Sequence, residues 1–225
     1  MGVGPITAQP RRRTVGPYTP GLVADLPLDL GAAMADRLAR ALDVEGKIPR
    51  ALEALGPVGG RDVVLVDGAT GIRAGQLADL GARVTVIDST GEQPFQAPDA
   101  SADAIVACWS AFRGEAPDEI AQAERILRPG GRLLVVHDYG RDDVSLLHGD
   151  RPEYGAWSRP NGPFLGRGFK VRVVHCFWTF DSMDDVSAFL VEAFGDAGQL
   201  VADGLKRPRL SYNVAVYHRT IGAAA

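Results

Sequence analysis

Five residues, Asp67, Gly68, Ala69, Thr70 and Gly71, follow the apolar run "DVVLV" and precede a helical pattern. A loop leaving the carboxyl end of a strand for a helix turns free backbone N–H groups toward a crevice, where a carboxylate or phosphate is stabilised. Asp88 closes the next strand 17 positions after Gly71, near the roughly 20-residue spacing at which an acid accepts both hydroxyls of a ribose. Without such a ligand, Asp88 reads as the cap of the turn "DSTG", which includes Ser89. A second group ends "LLVVHDY": His137, Asp138 and Tyr139 bring an imidazole, a carboxylate and a phenol, the side chains of proton transfer. The plainer reading is a hydrogen-bonded histidine at a strand end and a turn aspartate. Cys108, Trp109 and Ser110 end the preceding strand and reach the same rim. No cluster of His, Cys and carboxylate has metal-ligand spacing, so no metal site is expected.

Those groups need a frame, and it begins at Asp62. "DVVLVDG", "ARVTVID", "ADAIVACWS" and "RLLVVHDYG" read as strands, with "GIRAGQLADLG" and the proline-glycine-stopped "APDEIAQAERILRPGG" as helices. Strands alternating with helices imply right-handed crossovers and an α/β, doubly wound, mostly parallel sheet. A further strand "KVRVVHCFW", a helix "DSMDDVSAFLVEAFGDAG" capped by Ser182, and a last strand "LSYNVAVYHR" follow. His175, Cys176, Phe177 and Trp178 are expected to pack inside. Between Asp88 and Ala102 nothing in "STGEQPFQAPDAS" can make a buried strand, so the sheet is expected to lack one edge strand.

Residues 1–30, rich in proline and glycine and carrying Arg11 to Arg13, read as an extended arm. Residues 31–219 read as one domain, opening with helices over 31–56, and 220–225 as a tail. Residues 141–169 are glycine-rich and loose, and a structureless stretch of that length reads as a lid or substrate loop. Its Asp142, Asp143, Tyr154 and Trp157 would then touch an acceptor; the other reading is a surface loop pinned by its aromatics.

The chain has 225 residues, 46% hydrophobic and 23% charged, enough to bury a sizeable core. A net charge of -4 and a pI near 5.6 give no global reason to bind nucleic acid. No run approaches the roughly 20 apolar residues of a membrane span. The two cysteines lie in apolar runs, as buried thiols of a reducing compartment do, and a cytoplasmic location is expected.

From about Asp62 to Arg219 the chain resembles the class I S-adenosylmethionine-dependent methyltransferases of the small bacterial type. "VLVDGATGIRAGQLADLGARVTVID" stands where that family has its glycine loop, helix and ribose-binding acid. "PFQAPDASADAIVACWS" is similar to its fourth-strand block, and "AERILRPGGRLLVV", the most specific piece, to its entry into the fifth. The resemblance implies a Rossmann-like sheet with a C-terminal antiparallel strand, S-adenosyl-L-methionine as cofactor and a small-molecule methyl acceptor. It implies a cofactor site of Asp67, Gly68, Ala69, Thr70, Gly71, Asp88, Ser89, Phe95, Cys108 and Trp109. The loop departs from the family at three positions: the family's acid falls on Leu65, and two of its glycines fall on Asp67 and Ala69. Asp67 is expected to take the missing acid's place and bind the cofactor's ammonium group, with Phe95 or Tyr18 covering adenine. Two other functions fit the same elements. One is a methyltransferase fold that has lost methyl transfer and serves as a binding or scaffold module. The other is an NAD-dependent oxidoreductase, which would want a G-x-G-x-x-G loop that "DGATGI" does not supply.

Overall fold

A computed structural model describes residues 25–68, 70–90, 92–113, 117–151 and 153–221. Expectations for residues 1–24, among them Arg11 to Arg13 and Tyr18, for Ala69, and for the tail from 222 lie outside the described residues. Six strands, β1 (Asp62–Val66), β2 (Arg83–Ile87), β3 (Ala102–Cys108), β4 (Leu127–Asp138), β5 (Lys170–Thr179) and β6 (Arg209–Thr220), form one sheet. Their order is β2-β1-β3-β4-β6-β5. The pairs among β1 to β4 are parallel, and β6 is antiparallel to both of its neighbours. Because the chain goes from β1 to β2 on one side and returns to β3 on the other, the crossovers change direction between β1 and β3. Ligands of such sheets bind outside the strand ends at that point.

The strands read as continuous apolar runs because both faces are covered. Val63, Leu65, Val106, Leu134 and Val136 pack on one face beneath α1 (Ala32–Ala41), α2 (Lys47–Leu55), α3 (Ile72–Asp79), α6 (Met183–Phe194) and α7 (Asp196–Gly204). Val64, Val66, Ile105, Leu133 and Val135 pack on the other, beneath α4 (Pro117–Ile126) and the rings of Phe95, Phe112, Trp157, Phe164 and Phe169. Each fully buried Leu, Val or Ile contributes about 1.5–3 kcal/mol. The aromatic stretch expected to be a lid thus covers part of the sheet.

Three boundaries differ from the sequence reading. The helix expected to end at the proline-glycine stop ends earlier, at Ile126, and β4 takes up "RPGG", where Gly130 N–H bonds Ile221 O at 2.8 Å and Ile221 N–H bonds Gly131 O at 2.9 Å. The single helix expected after Ser182 is two, separated at Gly195, whose φ of 60° leaves the helical region. Inside 141–169 lies a short helix, α5 (Asp143–His148), closed by a capping box of Asp142 and Ser145. At the other edge the sheet ends on β2, with Val86 48% exposed, and the described residues between Ile87 and Ala102 form no strand, as expected.

Candidate functional site

The loop after β1 lies at the carboxyl ends of β1 and β2. Asp67 N–H bonds Ile87 O at 2.8 Å, and the residue has φ 56°, in the left-handed region that favours glycine. Both of its carboxylate oxygens are engaged by Ser89: Oδ1 accepts from the backbone N–H at 2.6 Å, and Oδ2 from the hydroxyl at 2.5 Å. Gly68 is buried over Leu65, and a Cβ there would meet Leu65 Cδ2 at 2.5 Å. Leu65, the position of the family's acid, is fully buried and apolar in its contacts. Gly71, at φ 72°, precedes the first turn of α3. Asp88 is exposed, and its carboxylate has no partner among the described residues. Ser89 is half-buried and spent on Asp67.

Across the crevice stands a residue with no sequence signal, Asp25. Its N–H bonds Cys108 O at the end of β3, and Thr70 Oγ1 donates to its Oδ2 at 3.0 Å. The side chain is 1% exposed, and Oδ1 has no hydrogen-bond partner. Burial pushes its pKa up to about 6, opposed by the Thr70 hydroxyl and by Arg73, whose charge and backbone favour the ionised form; nearby Asp67 pushes it further up. Arg73, in the first turn of α3, is 2% exposed. It donates from Nη1 to Gln76 at 2.5 Å and lies 5.3 Å from the centroid of the Trp109 ring, while its Nε has no partner. Trp109 has φ 53°, a strained conformation for a bulky residue, held by its N–H on Val136 O and by Nε1 on Asp138 Oδ1 at 2.9 Å. Cys108 is fully buried, which pushes its thiol up to about 12 and leaves it inert.

His137, Asp138 and Tyr139 do not act as one set, because alternate residues of a strand face opposite sides. Asp138 points to the α1 side, where it gathers donors. Oδ1 accepts from Trp109 and from the Tyr212 hydroxyl; Oδ2 faces the Tyr154 hydroxyl at 3.5 Å and His148 Nδ1 and Arg151 Nη1 at 3.6 Å each. Burial alone would raise its pKa, but His148, Tyr212 and Arg151 hold the carboxyl below the usual range. An acid so saturated is a fixed anion. His137 points to the other face, 1% exposed and against Trp157 at 5.0 Å and Phe164 at 6.3 Å. Burial, then the charge of Arg113, lowers its pKa to about 3; the backbones of Ala111 and Phe112 oppose this, but neither ring nitrogen makes a hydrogen bond of good geometry. The ring is therefore buried and neutral, packed on Trp157 and Phe164. Tyr139 is half-buried beside the same cluster.

The structure gathers Asp67, Thr70, Trp109 and Asp138 around the crevice and disperses others. Phe95, expected to cover a base, is 3% exposed and packs edge-to-face on Phe112 at 5.7 Å. Trp157 is interior beside His137 and Phe164, and Tyr154 is half-buried with its hydroxyl 2.8 Å from His148 Nδ1. Asp142 and Asp143 tie α5 to Asn213 and Ser211 of β6. His175, expected inside, is exposed and pairs with Asn213 at 2.7 Å, while Cys176 and Trp178 alternate inward. Sequence reasoning missed Asp25, Arg73, His148, Arg151 and Tyr212. Among the described residues no group of His, Cys, Asp and Glu could hold a metal, and no helix is long and apolar enough to cross a membrane.

The arrangement of this sheet is shared with solved structures. A protein assigned as a type II methyltransferase from Anaeromyxobacter dehalogenans superposes with a TM-score of 0.50 and 17% identity, over 77% of this chain and 94% of that one. A methyltransferase assigned to an antibiotic biosynthesis pathway of Anabaena variabilis gives 0.52 and 12%, over 80% and 98%. The chain has the class I methyltransferase fold. An S-adenosylmethionine-dependent methyltransferase from Aquifex aeolicus also matches, at 0.48 and 18%, over 81% and 92%. No family model and no curated protein matches the sequence. In this sheet Asp67 and Gly68 after β1, Asp88 after β2 and the end of β3 lie at the carboxyl ends of the strands between which the crossovers change direction.

Proposed function

We propose that this chain is an S-adenosylmethionine-dependent methyltransferase acting on a small-molecule acceptor. The observation that carries the reading is Asp88: an exposed carboxylate without a partner among the described residues, at the end of β2 and beside the glycine loop of a methyltransferase-type sheet. Its two oxygens suit two ribose hydroxyls. A dinucleotide is disfavoured because the loop "DGATGI" lacks the G-x-G-x-x-G spacing that lets a pyrophosphate approach the backbone. Two buried polar atoms, Asp25 Oδ1 and Arg73 Nε, have no hydrogen-bond partner, a cost that a polar ligand end would relieve.

The cofactor, when bound, supplies a methyl group on a sulfonium that is already a good leaving system. What the protein adds is alignment. In this reading Gly68 keeps the loop backbone close to Leu65 and Trp109 closes the end of β3, and Tyr139 and Tyr154 are candidates to meet the acceptor. Asp138 and His137 are not free bases in this arrangement: the first is saturated with donors and the second is enclosed in aromatic rings.

Calorimetric titration with S-adenosylmethionine, S-adenosylhomocysteine and NAD tests the reading. Binding of the first two in the micromolar range is expected, weakened about 10–100-fold by Asp88→Ala for the loss of hydrogen bonds to a charged acceptor, with an unchanged melting temperature because Asp88 supports no other group. Binding of neither overturns the enzyme reading in favour of a binding or scaffold role, and preference for NAD overturns it in favour of an oxidoreductase.

A further inference from the structure

Native proteins leave few buried polar atoms without partners, so two of opposite charge at one crevice call for a ligand. Asp25 reaches the end of β3 through its backbone bond to Cys108, while Arg73 stands in the first turn of the helix that leaves β1. They therefore flank the point between β1 and β3 where the crossovers reverse. Asp25 spends Oδ2 on Thr70 and keeps Oδ1 open; Arg73 spends Nη1 on Gln76, lays its guanidinium against Trp109 and keeps Nε open. The two side chains make no ion pair, although both are almost wholly buried. Asp67, the acid the sequence offers for an ammonium group, has both oxygens closed on Ser89.

We propose that Asp25 and Arg73 seat the α-amino-acid end of the ligand, the Asp25 carboxylate receiving its ammonium group and the Arg73 guanidinium its carboxylate. This rests on the cofactor reading and relocates the ammonium anchor from the β1 loop to the segment ahead of α1. A zwitterion completes each open hydrogen bond and neutralises each buried charge, which a phosphate or a neutral thioether cannot do at both positions. Thr70 is a positioning residue here: its hydroxyl accepts from Ile72 N–H at 3.2 Å while donating to Asp25, so the start of α3 and the Asp25 carboxylate are set by one side chain.

The test compares S-adenosylhomocysteine, which carries the amino-acid end, with 5′-methylthioadenosine, which lacks it, by calorimetry on the full chain. The wild type is expected to prefer the former at least tenfold. Asp25→Asn and Arg73→Gln are each expected to cut that preference at least tenfold while leaving 5′-methylthioadenosine within twofold, and Asp67→Asn to preserve it. Far-ultraviolet circular dichroism and melting temperature establish that each variant is folded; should Asp25→Asn fail to fold, Arg73→Gln decides. An intact preference in the folded variants, or its loss in Asp67→Asn instead, overturns this assignment and leaves the cofactor reading standing. A wild type that binds neither compound overturns both.

Discussion

Replacing Asp138 by asparagine keeps the shape of the side chain and removes its charge, and the structure sets what that costs. In the wild type Oδ1 accepts from the indole of Trp109 at 2.9 Å and from the Tyr212 hydroxyl, while Oδ2 faces Tyr154, His148 and Arg151. The amide oxygen of asparagine can keep the first two donors, but as neutral bonds about half as strong, a loss of about 1 kcal/mol each. Its NH₂ then points at groups that are themselves donors or cations, leaving at least one buried donor unmatched for about 1–3 kcal/mol more. The sum is about 3–5 kcal/mol. At about 2–4 °C per kcal/mol for a domain of this size, the melting temperature should fall by about 10 °C. Urea unfolding at pH 7 of Asp138→Asn, Tyr212→Phe and the double variant measures it, with a coupling of about 0.5–3 kcal/mol expected between the two sites. The pH dependence follows in sign: the folded carboxyl titrates below 3.8, so its stabilisation is present above that value and lost as pH falls through it toward the folded value. A variant within about 0.5 kcal/mol of wild type, the scatter of neutral surface changes, or strict additivity with Tyr212→Phe, would refute the hub and return Asp138 to the role of a free base.

Two further outcomes are expected. His137 titrates near 3 in the folded chain against 6.5 for an ordinary histidine, so the unfolded chain takes up a proton that the folded one refuses and stability falls as pH drops from 6.5 toward 3. Urea midpoints of His137→Leu should therefore change less between pH 7 and pH 4.5 than those of the wild type; equal changes would show that the ring is not held neutral. Gly68→Ala should cost about 1–3 kcal/mol by overpacking, since its Cβ would stand 2.5 Å from Leu65 Cδ2. Leu65→Ala alone should cost about 2–5 kcal/mol, and the double variant less than the sum, because truncating Leu65 clears the clash; additive costs in chemical denaturation would exclude that contact.

Much of the frame is legible in local pattern. The apolar runs at 63–66, 104–108 and 133–136 are buried on both faces, as parallel strands require, and Asp88 directly follows β2. The shortened segment after Asp88 does leave β2 at the sheet edge. Alternation along β4 already separates His137 from Asp138, although treating them as neighbours in sequence obscured it. Less legible was Trp157, which reads either as touching an acceptor or as pinning a surface loop and which, with Phe164 and Phe169, covers a sheet face, because glycine-rich spacing describes a loop without saying what lies beneath it.

What the sequence by itself determined is therefore the order of elements and the acid at the end of β2, since periods of two and 3.6 residues and the positions of glycines are properties of the local chain. Only the tertiary structure decided which side chains meet. Asp25 lies 45 positions before the threonine it bonds, and Asp138 lies 74 positions from Tyr212. No local pattern encodes such pairs, because they exist only once burial has brought distant strand ends together and made an unpartnered polar atom costly.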